Sequence, residues 1–256
     1  MVDTAWLREQ LGAPDLVIGD VRGPNAHMRG HIPASRPLVL GSPPPMSDPA
    51  AVDALAAEVA LRLRRHGITG EERLVLYDRG DGVGAMPAAQ LAELAGHPRV
   101  AVLLGGIAVW DGELEQGATE LEPVKASFAP RLEALPTREE LAGRLQDDEL
   151  TIFDVRRPGE FAGREGQPCD PRQGHIPGAR HLEYTELYAG PGRPLPADRI
   201  RELVGLPAGA QVVAYCHSGS RSALATLALR SAGYEARNYA GSWHEWSRHP
   251  ELPLER

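Results

Sequence analysis

The residues best suited to chemistry form one short run, Cys216-His217-Ser218-Gly219-Ser220-Arg221-Ser222, between an apolar segment ending at Tyr215 and a helical pattern. A strand, a short loop opening on cysteine and a helix start together make an anion cradle. Successive backbone N–H groups converge there, and the helix dipole adds partial positive charge. The thiolate is the nucleophilic form of cysteine, and a loop of this kind favours it. Gly219 lets the backbone turn tightly, while Arg221 brings a permanent, fork-shaped cation. Free cysteines often serve as small buried hydrophobes, but so polar a loop fits that reading of Cys216 poorly. His217 is a candidate general base, although a neighbour of the nucleophile on a loop of converging amides is expected to point outward.

The elements that must position this loop occur twice. Leu16-Val17-Ile18-Gly19-Asp20-Val21-Arg22 recurs as Leu150-Thr151-Ile152-Phe153-Asp154-Val155-Arg156, and Gly30-His31-Ile32-Pro33 as Gly174-His175-Ile176-Pro177. Further on, Leu74-Val75-Leu76-Tyr77-Asp78 answers Val212-Val213-Ala214-Tyr215-Cys216, while Gly105 and Trp110 answer Gly241 and Trp246. Four blocks in one order imply two copies of a whole domain, with an insert around residues 164–173 of the second. The expected division is a first domain over 1–122, a linker over 123–136 and a second domain over 137–256. Strands are expected at 15–21, 73–77, 100–104, 150–155 and 211–215, and helices at 87–95 and 222–232, each closed by a glycine (Gly96 and Gly233). Such alternation makes each domain α/β, a mainly parallel sheet flanked by helices, whose ligands sit beyond the carboxyl ends of the strands.

The repeat separates scaffold from chemistry. Asp78 stands in the first copy where Cys216 stands in the second, within Asp78-Arg79-Gly80-Asp81-Gly82-Val83-Gly84, and a carboxylate there leaves that copy without a nucleophile. Asp154 and Arg156 are candidate supports of the loop, but Asp20 and Arg22 repeat them in the copy without cysteine, which favours scaffold. His31 and His175 read as structural on the same argument. Trp243 and Trp246 are packing groups first, with Trp243 a candidate wall of the cleft. Cys169 lies in the insert without a Cys-x-x-Cys or a histidine at zinc spacing, so a resolving thiol and an incidental cysteine both stay open, and no metal is expected.

Composition sets the outer limits. The chain has 256 residues, 42% hydrophobic and 24% charged, the profile of a folded globular protein. Its formal charge of -8 gives no general basic footprint for nucleic acid or an anionic membrane. Apolar stretches are too short to span a bilayer. Two cysteines and the absence of a charged-then-apolar leader give a cytoplasmic expectation. Lys125 is the only lysine, which excludes a catalytic lysine in the loop.

Over essentially its full length the chain resembles the tandem-domain rhodanese family, the thiosulfate and 3-mercaptopyruvate sulfurtransferases. Four motifs carry the resemblance: the Asp-Val-Arg strand end, the Gly-His-Ile-Pro-Gly-Ala turn, the Cys216 to Arg221 loop, and Gly241-Ser242-Trp243-His244-Glu245-Trp246. The resemblance implies two tandem rhodanese-like domains, the first inactive, and a persulfide on Cys216 loaded by a small sulfur donor and unloaded by a thiophilic acceptor such as cyanide or a thiol. No organic cofactor is implied, and a monomer is expected. His217, Ser218, Gly219, Ser220, Arg221 and Ser222 are the expected donor-binding residues. Cysteine phosphatases on related scaffolds need five residues between cysteine and arginine, whereas four intervene here, so a ring suited to one sulfur atom is expected rather than phosphate hydrolysis.

Departures from the family bear on the donor. Where the tandem family commonly has an arginine after its Asp-x-Arg strand this chain has Glu160, and Arg164 and Arg172 on the insert are candidate substitutes. The acidic stretch of the mercaptopyruvate enzymes has no match in residues 36–41. Thiosulfate is therefore the expected donor. The alternatives are 3-mercaptopyruvate and a non-enzymatic rhodanese module that carries sulfur or binds a partner protein.

Overall fold

The structure, a computed structural model, describes residues 1–41 and 49–256. The chain divides into two compact units, one containing Asp53–Leu132 with the N-terminal residues, the other chiefly Glu133–Gly190 and Pro194–Arg256. In the first unit the order is α1 (Thr4–Gln10), β1 (Leu16–Asp20), α2 (Pro24–Arg29), β2 (Arg36–Pro37), α3 (Pro49–Arg65), β3 (Arg73–Tyr77), α4 (Ala85–Leu94) and β4 (Val100–Val102). Then come α5 (Arg138–Gly143), β5 (Leu150–Asp154), α6 (Pro158–Phe161), β6 (Arg180–His181), β7 (Tyr188–Gly190), β8 (Arg193–Pro194), α7 (Ala197–Val204), β9 (Gln211–Tyr215), α8 (Ser220–Ser231), β10 (Glu235–Asn238) and α9 (Ser242–Trp246).

Each unit holds a four-stranded sheet, in the orders β2-β1-β3-β4 and β10-β9-β5-β6, and every pairing within them is parallel. Parallel strands are covered on both faces, which explains why β3 and β9 read as unbroken apolar runs. Along β9 the faces alternate. Val212 and Ala214 pack with Phe153, Ala225 and Leu229, and Val213 and Tyr215 with Ile152, Trp243 and Trp246. Cys216 continues the first set, so its side chain leaves the sheet toward α8.

The same brace closes both sheets at the carboxyl ends of their central strands. Tyr215 Oη donates to Asp154 at 2.7 Å, and Arg156 binds that carboxylate at 2.5 Å and the Gly174 carbonyl at 2.6 Å. In the first unit Tyr77 donates to Asp20 at 2.9 Å, and Arg22 binds Asp20 at 2.6 Å and the Gly30 carbonyl at 2.7 Å. His31 and His175 each bridge to a later strand-like segment, at Glu115 and Glu255.

Element boundaries moved where glycine and polar composition decide them. Helix α8 starts at Ser220 rather than 222, because Gly219 takes a left-handed φ of 88° and turns the chain into the helix two residues early. Helix α4 likewise starts at Ala85, which leaves Pro87 in the first turn, where its missing N–H costs nothing. Strand β10 was not expected, since Glu235-Ala236-Arg237-Asn238 is polar, yet it pairs with β9 as an edge strand. Within the stretch 123–136, Val124 N–H donates to the Arg64 carbonyl and Arg131 N–H to the Leu94 carbonyl, so its residues up to Leu132 belong to the first unit and the rest to the second. Among the described residues no helix is long and apolar enough to cross a membrane.

Candidate active site

The loop after β9 is folded around the sulfur of Cys216, whose residue is 1% exposed. Gly219 N–H donates to Sγ at 3.2 Å, and the Ser222 hydroxyl lies 3.3 Å from it. Gly219 is required on two counts. Its φ is left-handed, and a Cβ there would stand 2.7 Å from the Ala240 carbonyl oxygen. Its own carbonyl accepts from Asn238 Nδ2 at 3.0 Å and from the Ser222 hydroxyl at 3.1 Å. The single Ser222 proton therefore has two acceptors within reach, the loop backbone and the sulfur.

The segment 241–246 closes the other side. Cys216 N–H donates to the Ser242 hydroxyl at 3.2 Å, and Trp243 N–H and His244 N–H donate to the carbonyls of Cys216 and His217. Ser242 adopts a left-handed φ of 57°, uncommon for a residue with a Cβ, and this strained backbone is what aims its hydroxyl at the loop. Trp243 is not a cleft wall. It is fully buried, its ring lies 4.9 Å from the Arg156 guanidinium carbon, and its indole N–H donates to the Arg172 carbonyl.

The loop's cation is not free. Arg221 forks onto Glu160 with N–O distances of 2.8 and 3.0 Å, and Glu160 is 2% exposed. Burial opposes ionisation of Glu160, but the hydrogen bonds and charge of Arg221, with help from Arg157, hold its carboxyl down at about 2. Burial likewise works against the Arg221 charge, which Glu160 and then a Cys216 thiolate more than restore. Glu160 is thus the counter-ion of Arg221, one of the residues expected to bind the donor. Asp154 and Arg156 are similarly paired with one another. Ser218 is exposed at the loop's tip, and Ser220 is the first residue of α8.

Arg172 is not a donor-binding substitute. Its guanidinium donates to four backbone carbonyls, those of Trp246, Ser247, His249 and Leu252, and so pins the insert to the C-terminal segment. Arg164 is exposed. By this anchoring the insert delivers Cys169 and Asp170 to His217 and His244. His217 points outward from the loop, with Nε2 3.2 Å from Asp170, and His244 Nδ1 is 3.1 Å from the same carboxylate. Sequence reasoning missed this cluster because its members come from three separate segments. The available signal was that all three segments surround one loop.

In the first unit Asp78 occupies its own cradle. Its carboxylate accepts from Gly80 N–H at 2.9 Å and from Gly84 and Ala85 N–H at 3.0 Å, so the amides that could hold a substrate anion are already bound.

The rhodanese-like domain profile matches residues 3–113 and again 137–249. A thiosulfate sulfurtransferase of Azotobacter vinelandii is 33% identical over 100% of this chain and 96% of its own length. A probable 3-mercaptopyruvate sulfurtransferase of Pseudomonas aeruginosa is 32% identical, over 97% of this chain and 95% of its own. Among solved structures, a probable thiosulfate sulfurtransferase superposes with a TM-score of 0.76 at 33% identity, covering 95% of this chain and 98% of that one.

Proposed function

Because the chain belongs to the rhodanese family of sulfurtransferases, with two rhodanese-like domains in tandem, we propose that it moves sulfane sulfur from thiosulfate to a thiophilic acceptor through a persulfide on Cys216. The observation that carries this reading is the pair of donors, Gly219 N–H and the Ser222 hydroxyl, aimed at Sγ at the start of α8. The Cys216 thiolate attacks the outer sulfur of thiosulfate. The S–S bond breaks, sulfite leaves with its electron pair, and the new terminal sulfur carries the negative charge within the amide cradle. Cyanide or a thiolate then takes that sulfur and restores the cysteine thiolate. Donors pre-aimed at a developing anion are the largest catalytic term such a loop offers.

Thiosulfate is favoured over 3-mercaptopyruvate by what stands beside the loop. Breaking a C–S bond leaves an enolate that needs a proton, whereas sulfite departs as it is. Glu160 is held ionised by Arg221 and is no proton donor. Residues 36–41 supply no acid from the first domain. Steady-state kinetics test the choice. Thiosulfate with cyanide should give the higher kcat/KM, and a tenfold preference for 3-mercaptopyruvate, about 1.4 kcal/mol of transition-state stabilisation, would reverse it. A persulfide that forms yet is released only to a protein partner would instead favour a sulfur carrier.

A further inference from the structure

We propose that Cys169, Asp170, His217 and His244 form a binding site for a divalent metal of the zinc type, beside the Cys216 loop. One ligand atom from each of these residues lies within 4.8 Å of every other. Cys169 Sγ is 3.8 Å from each of Asp170 Oδ1, His217 Nε2 and His244 Nδ1. The same Asp170 Oδ1 is 3.4 Å from His217 Nε2 and 3.1 Å from His244 Nδ1. A tetrahedral zinc ion, with bonds of roughly 2.0–2.1 Å to nitrogen or oxygen and about 2.3 Å to sulfur, has edges of about 3.4 Å between light atoms and about 3.6 Å to sulfur. The five distances above already approach those edges.

The donor chemistry fits the same ion. One thiolate, one carboxylate and two neutral imidazoles match the borderline softness of zinc, and their two negative charges neutralise a divalent cation. The Cys169 thiol proton passes to solvent as the sulfur–metal bond forms. Without the ion, both imidazole nitrogens face a single carboxylate that is 2% exposed, an arrangement the metal would complete. The surroundings are built to hold these groups. Arg248 donates to the Cys169 carbonyl at 2.7 Å, to the His244 carbonyl and, at 3.4 Å, to Asp170, and Gln173 donates to the Asp170 carbonyl. Cys169 itself is exposed, which gives an ion its path in.

An ion here would join the insert to both segments that frame the nucleophile, since His217 follows Cys216 and the His244 N–H donates to the His217 carbonyl. The inference stands apart from sulfur transfer, and its test reads no turnover. The full chain, stripped with a chelator, is titrated with Co²⁺ as an optical probe and then with Zn²⁺. One Co²⁺ per chain is expected, with a sulfur-to-metal charge-transfer band and the intense d–d absorption of a tetrahedral site, displaced by Zn²⁺. The band should persist in Cys216→Ser, vanish in Cys169→Ser and require at least tenfold more metal in His244→Asn. In the unmutated chain Zn²⁺ should slow alkylation of Cys169, a readout that does not depend on any variant folding. Absence of stoichiometric uptake, a band that survives Cys169→Ser, a band that disappears in Cys216→Ser, or unprotected Cys169 would each overturn the proposal.

Discussion

The guanidinium of Arg221 and the carboxylate of Glu160 make a two-point contact, at 2.8 and 3.0 Å, so the cation of the nucleophile loop arrives already balanced. Breaking a fully buried pair costs about 3–5 kcal/mol, and Arg221 is 26% exposed, so Arg221→Ala should destabilise the chain by about 2–3 kcal/mol. Replacing both partners with apolar residues, Arg221→Met with Glu160→Leu, should recover most of that loss. Urea unfolding of both variants beside the unmutated chain measures it. Full stability in Arg221→Ala would show that the contact contributes little and that the arginine serves the donor instead.

The same pair sets part of the acid response. Glu160 ionises at about 2 in the folded chain against an ordinary value of 4.5, so the unfolded state binds the proton more readily. Its contribution is complete above about pH 4.5 and is lost as pH falls toward 2. In Glu160→Gln this part of the acid slope should be missing. Unfolding free energies at several values between pH 5 and 3 test it, and parallel slopes in the two proteins would contradict it.

Ser222→Ala removes the nearer of the two hydroxyl donors to Sγ, the other being Ser242 at 4.0 Å. A hydrogen bond to a charged group is worth about 1.5–3 kcal/mol, so kcat/KM for thiosulfate should fall by roughly ten- to a hundredfold while the fold persists. An unchanged kcat/KM would show that the Ser222 proton stays on the Gly219 carbonyl throughout.

Asp78→Cys tests whether the first unit lost only its nucleophile. Its carboxylate binds three backbone N–H groups, which a thiol cannot satisfy together. The expectation is lower stability, by about 1–3 kcal/mol, and no sulfur loading at a rate comparable with Cys216. Mass measurement on Asp78→Cys combined with Cys216→Ser isolates that site, and rapid loading would refute the reading.

How much of this can be read without a structure depends on whether a signal is local. The strand, Cys216, Gly219 and helix form a contiguous pattern, and the repeat identifies the Asp154–Arg156 brace because Asp20 and Arg22 echo it. Arg221 looks like a free cation in the sequence because Glu160, its partner, is brought to it only by α6 and the parallel pairing of β5 with β9. Arg172 misleads for a related reason. Backbone carbonyls at a segment end accept hydrogen bonds from a guanidinium group, and no residue type marks them. Asp78 shows the opposite case, where the residue reveals a lost nucleophile but only the fold reveals that the carboxylate fills the cradle.

The account turns on the sulfur of Cys216, and intact mass after incubation with thiosulfate tests it most directly. One added sulfur atom is expected, localised to Cys216 by peptide mapping, removed by cyanide, and absent in Cys216→Ser. No mass gain in the unmutated chain, or a gain that survives Cys216→Ser, would contradict it.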